Sequence, residues 1–464
     1  MRNDRETSIR REIEGPPPPA PLAAVPGGRS VSNDTQETID FICGLRWVDV
    51  PTPVQRRVRL LLADFAAVSS AGRPAPASRI AAEHATAIHP GTDATALYDG
   101  RRLGVLGAVW SNAVLANALD MDDGHRIAKG HPGAIVIPAA LGAAQHMDAS
   151  EERFLAAVVV GYEVAIRAAI ALHGRDATYH ASGAWGAVGA AAAAASLFDL
   201  SPALVAHAIG LAEYHAPIAS VMRSVAEPAM TKDACGHGAW LGANAALLAQ
   251  RGFSSLPAEF LGRPFEGLGG DWRLLEVYVK AYPCCRWSQA AIGAALSLRE
   301  SGAPEAVARV TIRTFAAAAA LSRVMPSTTE EAQYNLVWPV AAAIVHGALG
   351  VEHVLGPYDD PVVLGLARRT VVEIDPRMEA VFPDRRLSSV ELLLHDGRRL
   401  ESEILEAPGE PDDPAWERVV AGKVAQLLGA PGHHRRAPGC GLAGLSADEL
   451  VDVLRGRSPL DVDG

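Results

Sequence analysis

Apolar residues along this chain follow two different spacings, and the change between them falls near residue 270. Before that point, apolar positions repeat with a helical period, and no segment alternates convincingly as a strand does. Asp34 with Glu37 forms a capping-box pattern, and Pro53 after Thr52 occupies a preferred first helical position, so both predict helix starts. The main segments that we predict to be helical here are 54–70, 105–119, 134–145, 151–173 and 236–250.

Several of these helices lack a polar face, which predicts that they are buried. The segment 105–119 is apolar nearly all round, and 180–198 is a run of small residues that allows helices to approach closely. Hydrophobic residues make up 49% of the chain but aromatic residues only 5%, so alanine supplies much of the core. Glu163 and Arg167 stand four residues apart, and we interpret them as a structural ion pair.

After residue 270 the pattern becomes mixed, with strand-like and helical segments. Alternation and β-branched runs predict strands, and Asp396-Gly397 between two such runs is a strong hairpin signal. The predicted strands are 307–315, 371–374, 388–395 and 398–404, and helical sequence returns at 414–429 and 446–455. We therefore predict a mainly α protein in which a large helical domain precedes a smaller α+β domain.

The predicted organisation has four parts. The proline-rich, charged start of the chain is typical of a disordered segment. At 464 residues the chain is too long for one compact core, so at least two domains follow. The predicted parts are a disordered N-terminal extension at 1–33, a helical domain at 34–270, an α+β domain at 271–408, and C-terminal helices at 409–464 that pack back on the helical domain.

Charge and composition exclude several classes of function. The net charge is −11 and no basic block is present, which argues against a nucleic-acid partner. We see no apolar run of membrane-spanning length without charges or small polar breaks, and no secretory leader, so we expect a cytoplasmic protein. The five cysteines lack metal-type spacing and suit a reducing compartment.

Ionisable residues concentrate in one stretch, LDMDDGHRIAKGHPGAIVIP (119–138). It holds Asp120, Asp122, Asp123, His125 and His131 between two segments predicted to be buried, where charges are costly unless paired or used. Carboxylates and imidazoles suit Mg, Mn or Fe, but the spacing matches no metal motif. For any single aspartate a solvated loop is the simpler interpretation, yet the cluster as a whole predicts an active site.

Two further segments carry cations. Lys232 lies among small residues that permit close approach of a ligand, although a surface lysine at a helix start is the plainer alternative. Lys280, Arg286 and Gln289 fall at the predicted domain junction, where ligand sites are common, and both cations suit carboxylates. Together these residues favour proton abstraction next to a carboxylate, followed by elimination, decarboxylation or isomerisation.

The segment ALDMDDGHRIAKGHP (118–132) resembles the ALDFDDTH…HP signature of the MmgE/PrpD family, which includes 2-methylcitrate dehydratase, cis-aconitate decarboxylase and iminodisuccinate epimerase. The resemblance extends from about residue 34 to 430, and several ordered blocks are specific for the family without being specific for one activity. The other matching blocks, in the family's order, are 161–167, 179–195, 230–253, 279–287 and 333–347.

The resemblance implies a large all-helical domain completed by the C-terminal helices, an α+β lid domain, and a homodimer. It also implies a site between the domains that needs no metal or cofactor and takes a small di- or tricarboxylic acid. Asp120 would orient groups or relay protons, and His131 and Lys232 would bind carboxylate or act as acid and base, while Asp122 and Asp123 support the loop. The residues expected to contact substrate are His125, His180, Lys280, Arg286, Gln289 and Trp338.

Three positions depart from the family pattern. Gly124 replaces a threonine, Gln289 stands where a histidine is expected, and Trp338 stands where tyrosine is common. Glutamine cannot act as an acid or base, and tryptophan offers only an N–H donor. These departures argue against cis-aconitate decarboxylation and 2-methylcitrate dehydration specifically. We therefore predict a cofactor-independent lyase or isomerase of a related acid; the alternatives are a metal-dependent lyase or hydrolase using the Asp/His cluster, and a non-catalytic ligand-binding descendant.

Overall fold

The computed structural model describes residues 33–259, 267–299 and 304–428 together with Leu454, and within these ranges the protein is mainly α-helical. The first part contains α1 Asn33–Gly44, α2 Thr52–Gly72, α3 Pro76–Ile88, β1 Pro90–Thr95, β2 Arg102–Leu103, α4 Val105–Asn117, β3 Gly124–His125, α5 Gly133–His146, α6 Glu151–Arg175, α7 Gly183–Leu197, α8 Pro202–Tyr214, α9 Met222–Ala226 and α10 Cys235–Gln250.

The second part mixes helices and strands. Its elements are β4 Val277–Tyr278, α11 Arg286–Ser297, β5 Val307–Thr314, α12 Ala316–Ala319, α13 Thr329–Gln333, α14 Val337–His346, α15 Glu352–Leu355, α16 Pro361–Arg368, β6 Thr370–Ile374, α17 Pro376–Glu379, β7 Leu387–Leu394, β8 Arg399–Glu401, β9 Leu405–Glu406 and α18 Trp416–Leu428. This order confirms the predicted mainly α fold with a large helical part and a smaller α+β part.

The centre of the helical core is α7, which packs against α5, α6, α8 and α10. Its sequence is almost entirely alanine and glycine, so the neighbouring backbones come close. A Cβ atom added at Gly189 would lie 2.5 Å from the carbonyl oxygen of Gly161 on α6 and would also collide with the Ala165 methyl group. The predicted ion pair between Glu163 and Arg167 is present and buried in α6.

By its length and composition alone, helix α6 could cross a membrane. An apolar stretch of 18 residues in this helix is 89% buried inside the protein. It therefore serves as a core helix of this fold.

The sheet has the strand order β6-β5-β7-β8, and β9 also pairs with β7. Strands β5 and β6 are parallel, whereas β7 runs antiparallel to β5, β8 and β9. Gly397 adopts φ 88° in the tight turn between β7 and β8, which confirms the predicted hairpin. Helices α11 and α14 pack together, and α11 also packs on β7, giving a second core.

Some short elements were not predicted from the sequence, and the expectation that no strand precedes residue 270 is wrong. Strands β1 and β2 form a small hairpin with a register shift, and β3 pairs with β4 over two residues. Strands β2, β3 and β4 have two residues each, too few to show alternation, and the six-residue β1 contains proline and glycine, which disfavour strands. The predicted extension, except Asn33, and the predicted helix at 446–455, except Leu454, lie outside the described residues.

The second part is anchored to the helical core at several places, two of which bear on the domain boundary and on the C-terminal helix. Leu274, Val277 and Val279 are buried in the helical core, so we propose a junction between the two parts near residue 280 rather than 270. Helix α18 packs along α2, where the buried Lys423 Nζ lies 2.6 Å from Asp64 Oδ1. Burial of two charges is tolerated here because each is paired with the other.

The close contact between α6 and α7 makes a stability prediction. We expect Gly189→Ala to lower the free energy of unfolding by about 1–3 kcal/mol, because the added methyl group overpacks the interface. Gly293 provides the matched control, since a Cβ atom there meets nothing within 4 Å in helix α11. We expect Gly293→Ala to raise stability by about 0.5–1 kcal/mol. Urea unfolding measures both, and equal stabilities of the two variants would contradict the packing described above.

Candidate active site

Two loops meet at the boundary between the cores. One runs from the end of α4 to α5 and carries Asp120 and His131; the other precedes α10 and carries Lys232 and Asp233. Asp120 has φ 51°, Lys232 φ 39° and Ala234 φ 55°. This left-handed backbone costs energy in a residue other than glycine, and such strain is concentrated at functional sites. We use "candidate site" for Asp120, His131, Lys232 and Asp233 together with Lys280 and Tyr334.

Lys280 enters the candidate site from the second part of the chain and is fully buried. Its Nζ lies 2.7 Å from Asp120 Oδ1 and 2.7 Å from the Asp120 carbonyl oxygen. Burial alone would lower the pKa of Lys280, but Asp120 and Asp122 outweigh burial and raise it. Burial alone would raise the pKa of Asp120, but Lys280, Lys232 and His131 hold it below its usual value. Both groups are therefore charged.

His131 is held in one orientation by its Nδ1 atom, which lies 2.8 Å from the Asp123 carbonyl oxygen. A carbonyl only accepts, so Nδ1 carries the proton and the neutral ring presents a lone pair on Nε2. That Nε2 atom lies 3.5 Å from Asp120 Oδ1 and 3.9 Å from Asp233 Oδ2. Asp122 Oδ2 lies 3.4 Å from Nδ1, so three carboxylates surround the ring and would stabilise its protonated form, an arrangement that suits a general base.

Lys232 is only 5% exposed, so the surface-lysine interpretation is wrong. Its Nζ donates to the Asn117 carbonyl oxygen and to Gln333 Oε1, the second at 2.8 Å. Gln333 in turn donates from Nε2 to the Ala118 carbonyl oxygen at 3.0 Å. These bonds join α13 of the second part to the end of α4 and fix the lysine beside Asp120.

Asp122 and Asp123 support the loop, as the resemblance suggests. Asn117 Nδ2 donates to both carboxylate oxygens of Asp122 at 3.1 Å. Asp123 accepts from the Gly133 backbone N–H at 2.9 Å and from the Tyr162 hydroxyl at 2.6 Å. Burial raises the pKa of Asp123 to about 7 despite these hydrogen bonds. Both side chains are thus engaged by neighbouring protein groups.

Asp233 and Tyr334 belong to the candidate site although neither was predicted to do so from the sequence. Asp233 accepts from Ser182 Oγ at 2.9 Å and from the Tyr334 hydroxyl at 3.2 Å. Ser182 Oγ also accepts from the His131 backbone N–H at 3.0 Å, which links the two loops. Both residues lie in blocks that match the family pattern, 230–253 and 333–347, and this membership, with the adjacency of Asp233 to Lys232, was the signal that could have identified them.

Two of the predicted substrate contacts are not supported. Gln289 Oε1 accepts from the Tyr282 N–H at 3.1 Å, and its Nε2 donates to the carbonyl oxygens of Tyr282 at 2.8 Å and Cys284 at 3.0 Å. This amide therefore shapes the turn before α11. Trp338 is buried, and its Nε1 donates to the His353 carbonyl oxygen at 2.9 Å. The polar groups of both side chains are hydrogen-bonded to the backbone, which argues against a role of Gln289 or Trp338 in binding substrate.

The other predicted contacts differ from one another. Arg286 pairs with Glu410 and stacks 4.3 Å from the centroid of the Tyr278 ring, so its charge is already neutralised. His125 accepts from the Ala128 N–H at 3.1 Å, and its Nε2 faces Glu276 at 3.3 Å; burial lowers its pKa.

His180 is buried without a hydrogen-bond partner for either ring nitrogen among the residues that the structure describes. Its Nε2 lies 3.5 Å from Asp176 Oδ2. Its ring nitrogens thus make no hydrogen bond within the described residues, whereas Arg286 and His125 are engaged within the protein.

Gly124 and Tyr278 lie opposite each other in the β3–β4 pair. A Cβ atom added at Gly124 would overlap the end of the Tyr278 ring, 2.7 Å from Cε2. The departure from threonine at this position therefore has a steric cause, because the buried tyrosine fills the space that a larger side chain needs.

A cleft of about 890 Å³ lies elsewhere and is lined by residues such as Arg73, Tyr98 and Glu352. It contains no member of the candidate site. We place the site where paired ionisable groups converge on strained backbone, because acid–base chemistry needs those groups and a cleft alone does not supply them.

Comparison with known proteins agrees with this fold. Residues 36–268 match the MmgE/PrpD N-terminal domain, and residues 282–437 match the MmgE/PrpD C-terminal domain. The chain therefore belongs to the MmgE/PrpD family.

Curated relatives include enzymes and an enzyme-like protein. The cis-aconitate decarboxylase-like protein oryM of Aspergillus oryzae is 30% identical over 190 residues, covering 39% of each chain. A cis-aconitate decarboxylase of Aspergillus terreus is 24% identical over 282 residues, covering 55% of this chain and 58% of the relative. A second one, from A. terreus strain NIH 2624, is 25% identical over 284 residues with the same coverage. The chain thus spans well under two thirds of the length of these relatives.

The packing at Gly124 predicts a coupled mutational response. We expect Gly124→Thr to lower the free energy of unfolding by about 1–3 kcal/mol, because the new side chain collides with the Tyr278 ring. Tyr278→Ala alone leaves a cavity and is expected to cost about 3–5 kcal/mol. In the double variant the threonine occupies part of that cavity, so urea unfolding should show a loss smaller than the sum. Additive losses would show that the two positions do not share this space.

The elevated pKa of Asp123, about 7, predicts a pH dependence of stability. An unfolded aspartate titrates near 4, so between about pH 4 and 7 the folded protein holds a proton that the unfolded chain has released. The contribution of Asp123 to the free energy of unfolding therefore decreases as the pH rises through this window, by up to about 4 kcal/mol. We expect Asp123→Asn to remove this slope.

Urea unfolding of wild type and Asp123→Asn across that pH range measures the effect as a difference. Asp412→Asn is the matched control, because Asp412 is exposed. A stability difference between wild type and Asp123→Asn that is constant with pH would contradict the expectation.

Proposed function

We propose that this protein is a cofactor-independent lyase or isomerase that abstracts a proton next to a carboxylate of a small di- or tricarboxylic acid. The observation that carries the proposal is the position of His131 Nε2 between the carboxylates of Asp120 and Asp233, with two buried lysines beside it. Membership of the MmgE/PrpD family and the similarity to cis-aconitate decarboxylases support the class of reaction.

His131 is the proposed base. Its Nε2 lone pair takes a proton from the carbon next to a substrate carboxylate, and the resulting imidazolium is stabilised by Asp120 and Asp233. Lys280 keeps Asp120 ionised, so this aspartate stabilises charge and does not compete for the proton. The hydrogen bond from Nδ1 to the Asp123 carbonyl oxygen prevents the ring from turning away during the transfer.

The two lysines stabilise the negative charge that develops on the substrate. An ammonium group has three N–H donors. Within the described residues, Lys232 uses two on Asn117 and Gln333, and Lys280 uses two on Asp120, so each retains one for a substrate oxygen. Fixed cations in a site that excludes water stabilise an enediolate strongly, because they need no reorganisation when the charge forms.

Tyr334 completes the set as a proton donor. Burial and the nearby carboxylates of Asp120 and Asp233 raise its pKa, so the hydroxyl stays protonated. A protonated phenol beside the base can return a proton to the carbanion or to a leaving group. The carbanion then loses a leaving group, as in a dehydratase, or is reprotonated, as in an epimerase. In a decarboxylase the loss of carbon dioxide itself generates the carbanion, and the proton donor protonates it.

A metal-dependent reaction is the second candidate. One ligand atom from each of Asp120, His131 and Asp233 lies within 4.8 Å of the others, a set that suits a divalent cation. Lys280 is already 2.7 Å from Asp120 Oδ1, so an incoming cation would meet an ammonium group on its first ligand. The arrangement therefore favours the metal-free reaction, and activity after chelator treatment and dialysis distinguishes the two.

We expect purified protein to turn over at least one acid in a panel of small di- and tricarboxylates. His131→Gln and Asp120→Asn should lower kcat by about 10²–10⁴-fold, because the base or its charge stabilisation is lost. His395→Gln and Asp412→Asn are matched controls with exposed side chains and should retain wild-type rates. Exchange of the abstracted proton with deuterated solvent, measured by NMR, provides a second readout.

Turnover that persists at wild-type rates in both His131→Gln and Asp120→Asn would refute the assignment of these residues. Loss of all turnover after metal removal, restored by a divalent cation, would favour the metal-dependent alternative. No turnover across the panel, combined with thermal stabilisation by one of the acids, would favour a non-catalytic ligand-binding protein.

A further inference from the structure

Arg386 is a buried cation that the mechanism above does not use. Its side chain lies immediately before β7 and is only 3% exposed. Its Nε and Nη1 atoms have no hydrogen-bond partner among the residues that the structure describes. Burying N–H groups of a guanidinium without acceptors is costly, and a missing ligand is one physical reason why a folded protein keeps such a group.

Two tyrosines connect Arg386 to the candidate site. The Tyr179 phenol interacts electrostatically with Arg386 and with Asp233. The Tyr278 phenol interacts with Arg386 and with Lys280. The segment before the arginine is also tied to the loop of Asp120 and His131, since Arg126 Nη1 donates to the Asp384 carbonyl oxygen at 2.7 Å. The guanidinium thus shares two neighbouring phenols, Tyr179 and Tyr278, with the charged groups of the candidate site.

The balance of charges around Arg386 favours the binding of an anion. Glu410 is the carboxylate that interacts electrostatically with Arg386, and its Oε1 is already paired with Arg286. Lys129 adds a further cation, with its Nζ 5.2 Å from the centroid of the Tyr179 ring. Arg386, Arg286 and Lys129 therefore all lie around Tyr179 and Tyr278, and this concentration of cations favours an anion. A carboxylate ligand would supply acceptor oxygens to the unpaired N–H groups and balance the charge.

We propose that Arg386 binds a carboxylate of the substrate remote from the reacting carbon and thereby makes the protein select acids with two or more carboxylates. The proposal rests on the proposed function for the nature of the ligand. Lys232 and Lys280 hold the carboxylate next to the abstracted proton, and Arg386 holds the second. Arginine suits this role because its planar guanidinium stays charged and directs several N–H donors at carboxylate oxygens.

The test measures binding, so it does not depend on turnover. Isothermal titration calorimetry with tricarballylate, succinate and butanoate compares wild type, Arg386→Met and Arg386→Lys. We expect wild type to bind tricarballylate and succinate more tightly than butanoate. Arg386→Met should weaken both polycarboxylates at least tenfold and leave butanoate unchanged, and Arg386→Lys should fall between. The matched control is Arg385→Met, because the neighbouring Arg385 is 57% exposed and pairs with Glu406 on the surface.

Several outcomes would overturn the proposal. One is that Arg386→Met binds tricarballylate as tightly as the wild type does. Another is that the wild type binds neither tricarballylate nor succinate. A third is that Arg386→Met loses as much affinity for butanoate as for the polycarboxylates. Thermal unfolding separates a structural role, in which Arg386→Met lowers Tm without changing affinity. If Arg386→Met does not fold, Arg386→Lys decides, and an unchanged polycarboxylate affinity in that variant refutes the proposal.

Failure of the proposed function looks different. Selective binding that needs Arg386, without turnover of any acid, supports the carboxylate contact and contradicts the enzyme. Turnover of a polycarboxylate with an unchanged KM in Arg386→Met supports the enzyme and contradicts the carboxylate contact.

Discussion

The buried ion pair between Lys280 and Asp120 is the interaction on which the site depends. Lys280 comes from the second part of the chain and Asp120 from the loop after α4, so the pair joins the two parts at the chemical centre. Two buried charges are stable only with each other, and removing one would leave the other unpaired at a cost of several kcal/mol. The pair keeps Asp120 ionised and in a left-handed backbone conformation, which places its carboxylate next to His131.

The alanine- and glycine-rich helices provide the rigid support for this arrangement. Because α6, α7 and α10 approach almost to backbone contact, the loops at their ends have little freedom. Ser182 at the start of α7 accepts a hydrogen bond from the His131 backbone and donates one to Asp233. Tyr162 on α6 donates a hydrogen bond to Asp123. Catalytic groups need positions defined to a fraction of an ångström, and close-packed helices with hydrogen-bonded support supply that precision.

The departures from the family pattern acquire different meanings in three dimensions. Gly124 makes room for Tyr278, a phenol that faces Lys280 and Arg386. Gln289 and Trp338 are hydrogen-bonded to the backbone, while Tyr334, in the short connection between α13 and α14, brings a hydroxyl to Asp233. The aromatic hydroxyl thus reaches the site from a different position in the same segment. These changes alter the shape and donors of the candidate site but leave His131 and the two lysines in place.

The sequence by itself determined the fold class, the approximate bounds of several long helices and the identity of several charged residues of the candidate site. Helical periodicity, the Asp396-Gly397 turn and the dense acidic stretch are local signals, and local spacing is enough to interpret them. Short strands were missed because two residues show no period. Only the tertiary structure decided which charges meet. Asp233 and Tyr334 lie in family-like blocks that did not single them out, and Arg386 lies in none, whereas Gln289 and Trp338 were expected at the site although their polar atoms are used elsewhere. Pairing across more than a hundred residues depends on how the two cores pack, and no local pattern records it.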